Sequence, residues 1–144
     1  MTFSTAAVEG AGAAPAEAGL SREESGAVEA LPPGSALLIV QRGPNSGARF
    51  LLDSERTTVG RHPDSNIFLD DVTVSRKHAE FVREGDGFRV RDVGSLNGTY
   101  VNRDRVDDAM LRAGDEVQIG KYRMTYHPSR QGSGREARGG GPAQ

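Results

Sequence analysis

Residues 78–92 read HAEFVREGDGFRVRD, and this stretch decides the fold. Ala79 and Phe81 fall on one side of an extended chain with Glu80 on the other; Gly85-Asp86-Gly87 then breaks the run, and Phe88 and Val90 alternate with Arg89 and Arg91. Side chains of a strand point to opposite faces in turn, and glycine supplies the positive φ that tight turns need. The stretch is therefore a β-hairpin with one apolar face.

The same punctuation continues outward in both directions. Short segments rich in β-branched and aromatic residues fall at 36–42, 48–52, 57–60, 67–69, 99–101, 116–119 and 122–127, besides the two hairpin strands read as 78–84 and 88–92. Gly43-Pro44-Asn45-Ser46-Gly47 is a second hairpin connection, and Tyr122, Met124 and Tyr126 alternate with Arg123 and Thr125. Nine or more short strands closed by turns imply an all-β sandwich or barrel, and in a small sandwich function falls to the loops at one end.

Composition sets the limits of the folded unit. The chain has 144 residues, 35% hydrophobic, with 19 Gly and 7 Pro, so there is room for one domain and flexible segments beside it. Residues 1–33 are mostly Ala, Gly, Glu and Ser and are expected to form a disordered acidic arm. Residues 128–144, PSRQGSGREARGGGPAQ, are expected to be a disordered Gly/Arg-rich tail, leaving 34–127 as the domain. Between arm and tail 14 basic residues balance 14 acidic ones, which argues against non-specific nucleic-acid binding. No apolar run approaches the roughly 20 residues that span a bilayer and the N-terminus lacks a signal pattern, so a cytoplasmic protein with no membrane partner, acting as a monomer, is expected. The absence of Cys removes disulfide and thiol chemistry, and His62, His78 and His127 lack metal-ligand spacing, so no metal or cofactor is expected.

Four loop segments hold small, donor-rich residues: Gly60-Arg61-His62, Ser75-Arg76-Lys77-His78, Gly94 to Thr99 (GSLNGT), and Asn102. Arg61 offers a planar fork suited to two phosphate oxygens, with a surface ion pair as the plainer alternative. Ser75 has a hydroxyl to donate to the same group or to cap a turn. Asn97 carries donor and acceptor together, so it is able to clamp the backbone of an extended peptide or simply to form a turn with Gly98.

Gly-Arg, then Ser-x-x-His, then Asn-Gly with a further Asn, in this order, resembles the signature of the forkhead-associated (FHA) family. The runs TVGRHPDSNIFLDDVTVSRKHAE at 58–80, DVGSLNGTYVN at 92–102 and GDEVQIGK at 114–121 are similar to a narrower group, the small actinobacterial regulators of glycogen accumulation. The resemblance implies an FHA-type β-sandwich that binds phosphothreonine and has no catalytic residues. It implies phosphate contacts from Arg61, Ser75 and Asn97, with Arg76 either a contact or a solvated charge. It implies peptide contact or loop support from Ser95 and Asn102, and structural roles for Gly60, His78 and Gly98. As partners it implies Ser/Thr protein kinases, 2-oxoglutarate dehydrogenase and glutamate-metabolising enzymes. In that group the arm carries a Glu-Thr-Thr-Ser-Val-Phe motif whose phosphorylation lets the domain bind its own arm. This arm begins MTFSTAAVEG instead, so Thr5 or Thr2 takes that role or the switch is absent. The competing reading is a constitutive scaffold that binds unphosphorylated partners.

Three tempting motifs fail on inspection. The run 114–121 has five residues between its glycines and Tyr after its Lys, which is no phosphate loop. Asn97-Gly98-Thr99 fits a glycosylation sequon that a non-secreted protein does not use. Ser75, His78 and Asp92 lack the nucleophile-elbow context of a hydrolase triad.

Overall fold

The computed structural model describes residues 20–131. Eleven strands and one short helix follow in the order α1 (Arg22–Glu29), β1 (Ala36–Arg42), β2 (Arg49–Leu52), β3 (Arg56–Gly60), β4 (Ile67–Phe68), β5 (Ala79–Glu84), β6 (Gly87–Asp92), β7 (Thr99–Val101), β8 (Asp104–Val106), β9 (Asp108–Met110), β10 (Glu116–Ile119) and β11 (Tyr122–Pro128). They form a sandwich. One sheet has the order β9-β6-β5-β3-β4 and the other β2-β1-β11-β10-β7-β8. Among the described residues only β3 and β4 pair in parallel; the opening hairpin is β5–β6, with Phe81 opposite Val90.

The alternating apolar sets meet between the sheets. Phe81, Phe88 and Val90 from one sheet pack with Leu38, Val40, Met124, Tyr122 and Tyr126 from the other, all essentially inaccessible to solvent. Such a core uses up nearly every apolar strand position, so recognition falls to loops and outer faces.

Three elements differ from expectation. Strands β8 and β9, polar and three residues long, are absent from the sequence reading; β8 folds back on β7 through Asn102 and Arg103, whose φ of 50° and 73° make the turn. Edge strand β9 is held to β6, where Arg89 bonds Asp108 at 2.7 Å.

The third is the arm. Expected to lack structure through residue 33, it forms α1 within its described part, residues 1–19 lying outside the described residues; the helix is started by a capping box in which Ser21 Oγ accepts from Glu24 N–H and the Glu24 carboxylate accepts from Ser21 N–H. Val28 and Leu31 bury against Leu37 and Ile39, the outward residues of β1. This is why the run ALLIV is buried at every position: the facing five-stranded sheet covers one face and α1 part of the other. The tail likewise continues the fold beyond residue 127. Pro128 pairs with Ala36, Ser129 Oγ donates to the Leu31 carbonyl at 3.0 Å, and Arg130 and Gln131 bind the side chain and carbonyl of Glu29. No helix among the described residues is long and apolar enough to cross a membrane.

Candidate functional site

The loops after β3, before β5 and after β6 meet at one end of the sandwich, and backbone contact brings the first two together. Arg61 N–H donates to the Ser75 carbonyl at 2.9 Å and His62 N–H to that of Arg76 at 3.3 Å. The approach is so close that a Cβ on Gly60 would lie 2.0 Å from the Arg76 carbonyl oxygen, which is backbone and has no rotamer to give way. Only glycine fits there.

Arg61 is exposed, and its Nε donates to the Val74 carbonyl at 3.1 Å. That bond anchors the base of the guanidinium and leaves both Nη groups without a partner among the described residues. Arg76 is also exposed, one residue from Ser75.

His78 joins the second and third loops from a fully buried position. Its Nδ1 accepts from Ser75 N–H at 3.1 Å, so the proton sits on Nε2, which donates to the Gly98 carbonyl at 2.9 Å. Burial lowers its pKa from 6.5 and so favours the neutral ring, opposed in part by the Gly98 bond and the charge of Asp92. Ser75 Oγ makes a further link by accepting from Leu96 N–H at 2.9 Å, and its own hydroxyl proton remains available to a ligand.

The third loop is organised by Asp92, a residue the sequence reading met only as a discarded triad member. Its carboxylate accepts from the Gly94 and Ser95 amides and from the Ser95 and Thr99 hydroxyls. Burial acts to raise its pKa, but these bonds outweigh it and hold the group at about 2. Ser95 Oγ also accepts from Gly98 N–H, so both roles of its hydroxyl are spent inside the loop. Asn97 is exposed; its Nδ2 donates to the Thr73 carbonyl at 3.0 Å, leaving Oδ1 and the second amide hydrogen for a ligand. Thr73 is itself fixed by Asp71 and by Lys121 N–H, and neither Thr73 nor Asp71 was singled out from sequence. Gly98, at φ 90°, lies under the Arg105 guanidinium.

Asn102 is not part of this cluster. It sits at the opposite end of β7, where Nδ2 donates to Asp115 and Oδ1 accepts from Glu116 N–H, so its side chain supports the β7–β8 turn. Thr2 and Thr5 lie outside the described residues.

Residues 57–120 match the FHA domain model, a span that contains every loop just described. The chain is 68% identical over 113 residues to the glycogen accumulation regulator GarA of Mycobacterium tuberculosis, covering 78% of this chain and 69% of that one. The chain belongs to the FHA-domain family. It is also 64% identical over 111 residues to the oxoglutarate dehydrogenase inhibitor of Corynebacterium jeikeium, with 76% and 77% of the two chains covered. Among solved structures, an FHA domain from a structural and functional analysis of phosphothreonine-dependent interactions matches with TM-score 0.59 and 30% identity, over 65% of this chain and 95% of that one. The FHA fold is a phosphothreonine-binding fold, and its relatives are named as regulators and inhibitors, which places this FHA domain with binding modules.

Proposed function

We propose that the loop cluster captures phosphothreonine in extended peptide segments and that this binding is the protein's whole biochemical activity. The observation that carries the reading is Arg61: Nε is fixed on the Val74 carbonyl, both Nη groups are open, and the free hydroxyl proton of Ser75 lies on the loop that Arg61 pairs with. A guanidinium held this way matches phosphate oxygens in a bidentate, charge-assisted mode. Arg76 adds charge beside it, and Asn97 clamps the peptide backbone.

Likeness to a glycogen accumulation regulator and to an oxoglutarate dehydrogenase inhibitor supports a place in metabolic control. In this role Ser/Thr kinases create the phosphothreonine ligands, and 2-oxoglutarate dehydrogenase and glutamate-metabolising enzymes are the targets. Phosphate on Thr5 or Thr2 then turns the arm into a competing ligand within the same chain.

Calorimetry with matched phosphothreonine, phosphoserine and unmodified peptides tests this. Arg61→Ala removes two charged hydrogen bonds and should cost about 3–5 kcal/mol, a loss of hundredfold or more in affinity, with the melting transition preserved. A loss under about fivefold, or equal affinity for the unmodified peptide, refutes the assignment and favours a constitutive scaffold.

A further inference from the structure

Beyond Asn97 the outer face of the six-stranded sheet continues the site. Strand register places Arg105, Tyr100, Gln118, Arg123 and Arg42 directly opposite one another across β8, β7, β10, β11 and β1. At the usual spacing between strands this row is roughly 19 Å long, about the length of six extended residues. Every member offers a hydrogen-bond donor and none is acidic.

Arg42 reaches the row only through an irregularity. Ala36, Leu38 and Val40 face the core, so regular alternation would send Arg42 inward as well. A register shift between Arg123 and Met124 pairs Val40 with Met124 but Arg42 with Arg123, so Gln41 is the extra residue of a bulge. Gln41 bonds the outward Thr125, and Arg42 emerges exposed beside Arg123.

The row lies along an open groove of about 690 Å³ whose lining includes Arg42, Arg103, Lys121 and Arg123 but no Asp or Glu. Two carboxylates border it: Glu116, shared at 3.8 Å between Arg103 and Arg123, and Asp71, which is bonded to Thr73 and close to Lys121, so the cations still outnumber them. A groove of about 490 Å³ on the other sheet differs, since Arg56 and Lys77 are there offset by Asp64 and Glu80. The cationic groove also includes Thr73, Asn97 and Gly98, so it begins where a bound phosphopeptide is clamped.

We propose that this face is a second recognition surface, taking an acidic stretch of the same peptide whose phosphothreonine occupies the loops. It rests on the phosphothreonine reading above and names the class of ligand that reading selects: a phosphothreonine with several Asp or Glu on one side, within about eight residues. Exposed ion pairs are individually weak, so the surface tunes affinity and does not create it.

The test is fluorescence anisotropy with phosphothreonine peptides bearing three Asp on the N-terminal side, three on the C-terminal side, or neutral flanks. The acidic block on one side should tighten binding by about three- to thirtyfold at low salt, less as salt screens it. The double variant Arg42→Gln/Arg123→Gln should lose that gain while binding the neutral-flank peptide as before, with Arg103→Gln as a second, independent probe; thermal melts verify folding. No gain on either side, or a gain that survives both variants, overturns the proposal, and continued loss of binding in Arg61→Ala then shows that the phosphothreonine reading stands. If phosphorylated and unmodified peptides bind alike, that reading fails and this one with it.

Discussion

Replacing His78 by Ala separates support of the binding loops from contact with phosphate. The imidazole is fully buried and bridges two loops, accepting from Ser75 N–H and donating to the Gly98 carbonyl. Alanine leaves a buried donor and a buried acceptor without partners, each costing about 1–3 kcal/mol, and adds a cavity of ring size. Water entering the gap recovers part of this, so a net loss of about 3–5 kcal/mol is expected, a large share of the stability of a small domain. In melting temperature that is a drop of roughly 12–30 °C for a domain of this size. Urea unfolding followed by tyrosine fluorescence measures it, and phosphopeptide affinity is read where both proteins remain folded. There the variant should keep weakened binding, because Arg61 and its bond to Val74 do not pass through the ring. A variant that unfolds within about 0.5 kcal/mol of the parent refutes the bridging role, and one that is stable yet has lost all binding makes the ring a ligand.

Gly60→Ala should cost at least about 3 kcal/mol, seen in urea midpoints together with weaker phosphopeptide binding, since the new methyl meets the Arg76 carbonyl; a near-neutral result contradicts the close approach. Acid should act in two windows. His78, with a folded pKa below 6.5, contributes stability above that value that is lost as pH falls through its lowered pKa; Asp92 contributes above 3.8 and is lost as pH falls toward about 2. Asp92→Asn should reduce the second loss, to which Asp71 and Glu84 with their lowered pKa values also contribute, in a pH series of urea midpoints, and an unchanged profile removes Asp92 as the organiser of its loop. Val28→Ala should raise amide exchange over residues 22–31 by loosening α1 while leaving phosphopeptide affinity unchanged, and affinity that falls with it would tie the helix to the site.

What could be read in the sequence was chemistry carried by side-chain type and spacing. Gly60-Arg61, Ser75-x-x-His78 and Asn97-Gly98 are legible because few structures need those groups in that order, and the hairpin at 78–92 because alternation and glycine speak directly about backbone. Residues whose meaning comes from three-dimensional neighbours were not legible. Asp92 looks like any Asp at a strand end, and its four incoming hydrogen bonds exist only once the loop closes. Strands β8 and β9 are too polar and short to show a pattern, and pairing alone makes them strands. For α1 a signal was present in Ser21-Arg22-Glu23-Glu24, but eight residues of weak apolar character pass for a solvated arm until Leu37 and Ile39 are seen to need cover. Arg42 is hidden by the bulge at Gln41, since counting by twos sends it to the wrong face.

The pairing of β1 with β11 also governs how the chain folds. β1 is the first strand and β11 the last, and Ala36 lies opposite Pro128 across nearly the whole described length. During synthesis the loops that carry Arg61, Ser75 and Asn97 can close early on local hairpins, but the six-stranded sheet lacks its central pair until the final strand is made. Until then ALLIV, the most apolar run in the protein, has one edge without its strand partner, and long-range pairing of this kind is the slow step in folding. A nascent chain stalled before residue 122 therefore has a nearly complete set of binding loops attached to a strand ready to aggregate.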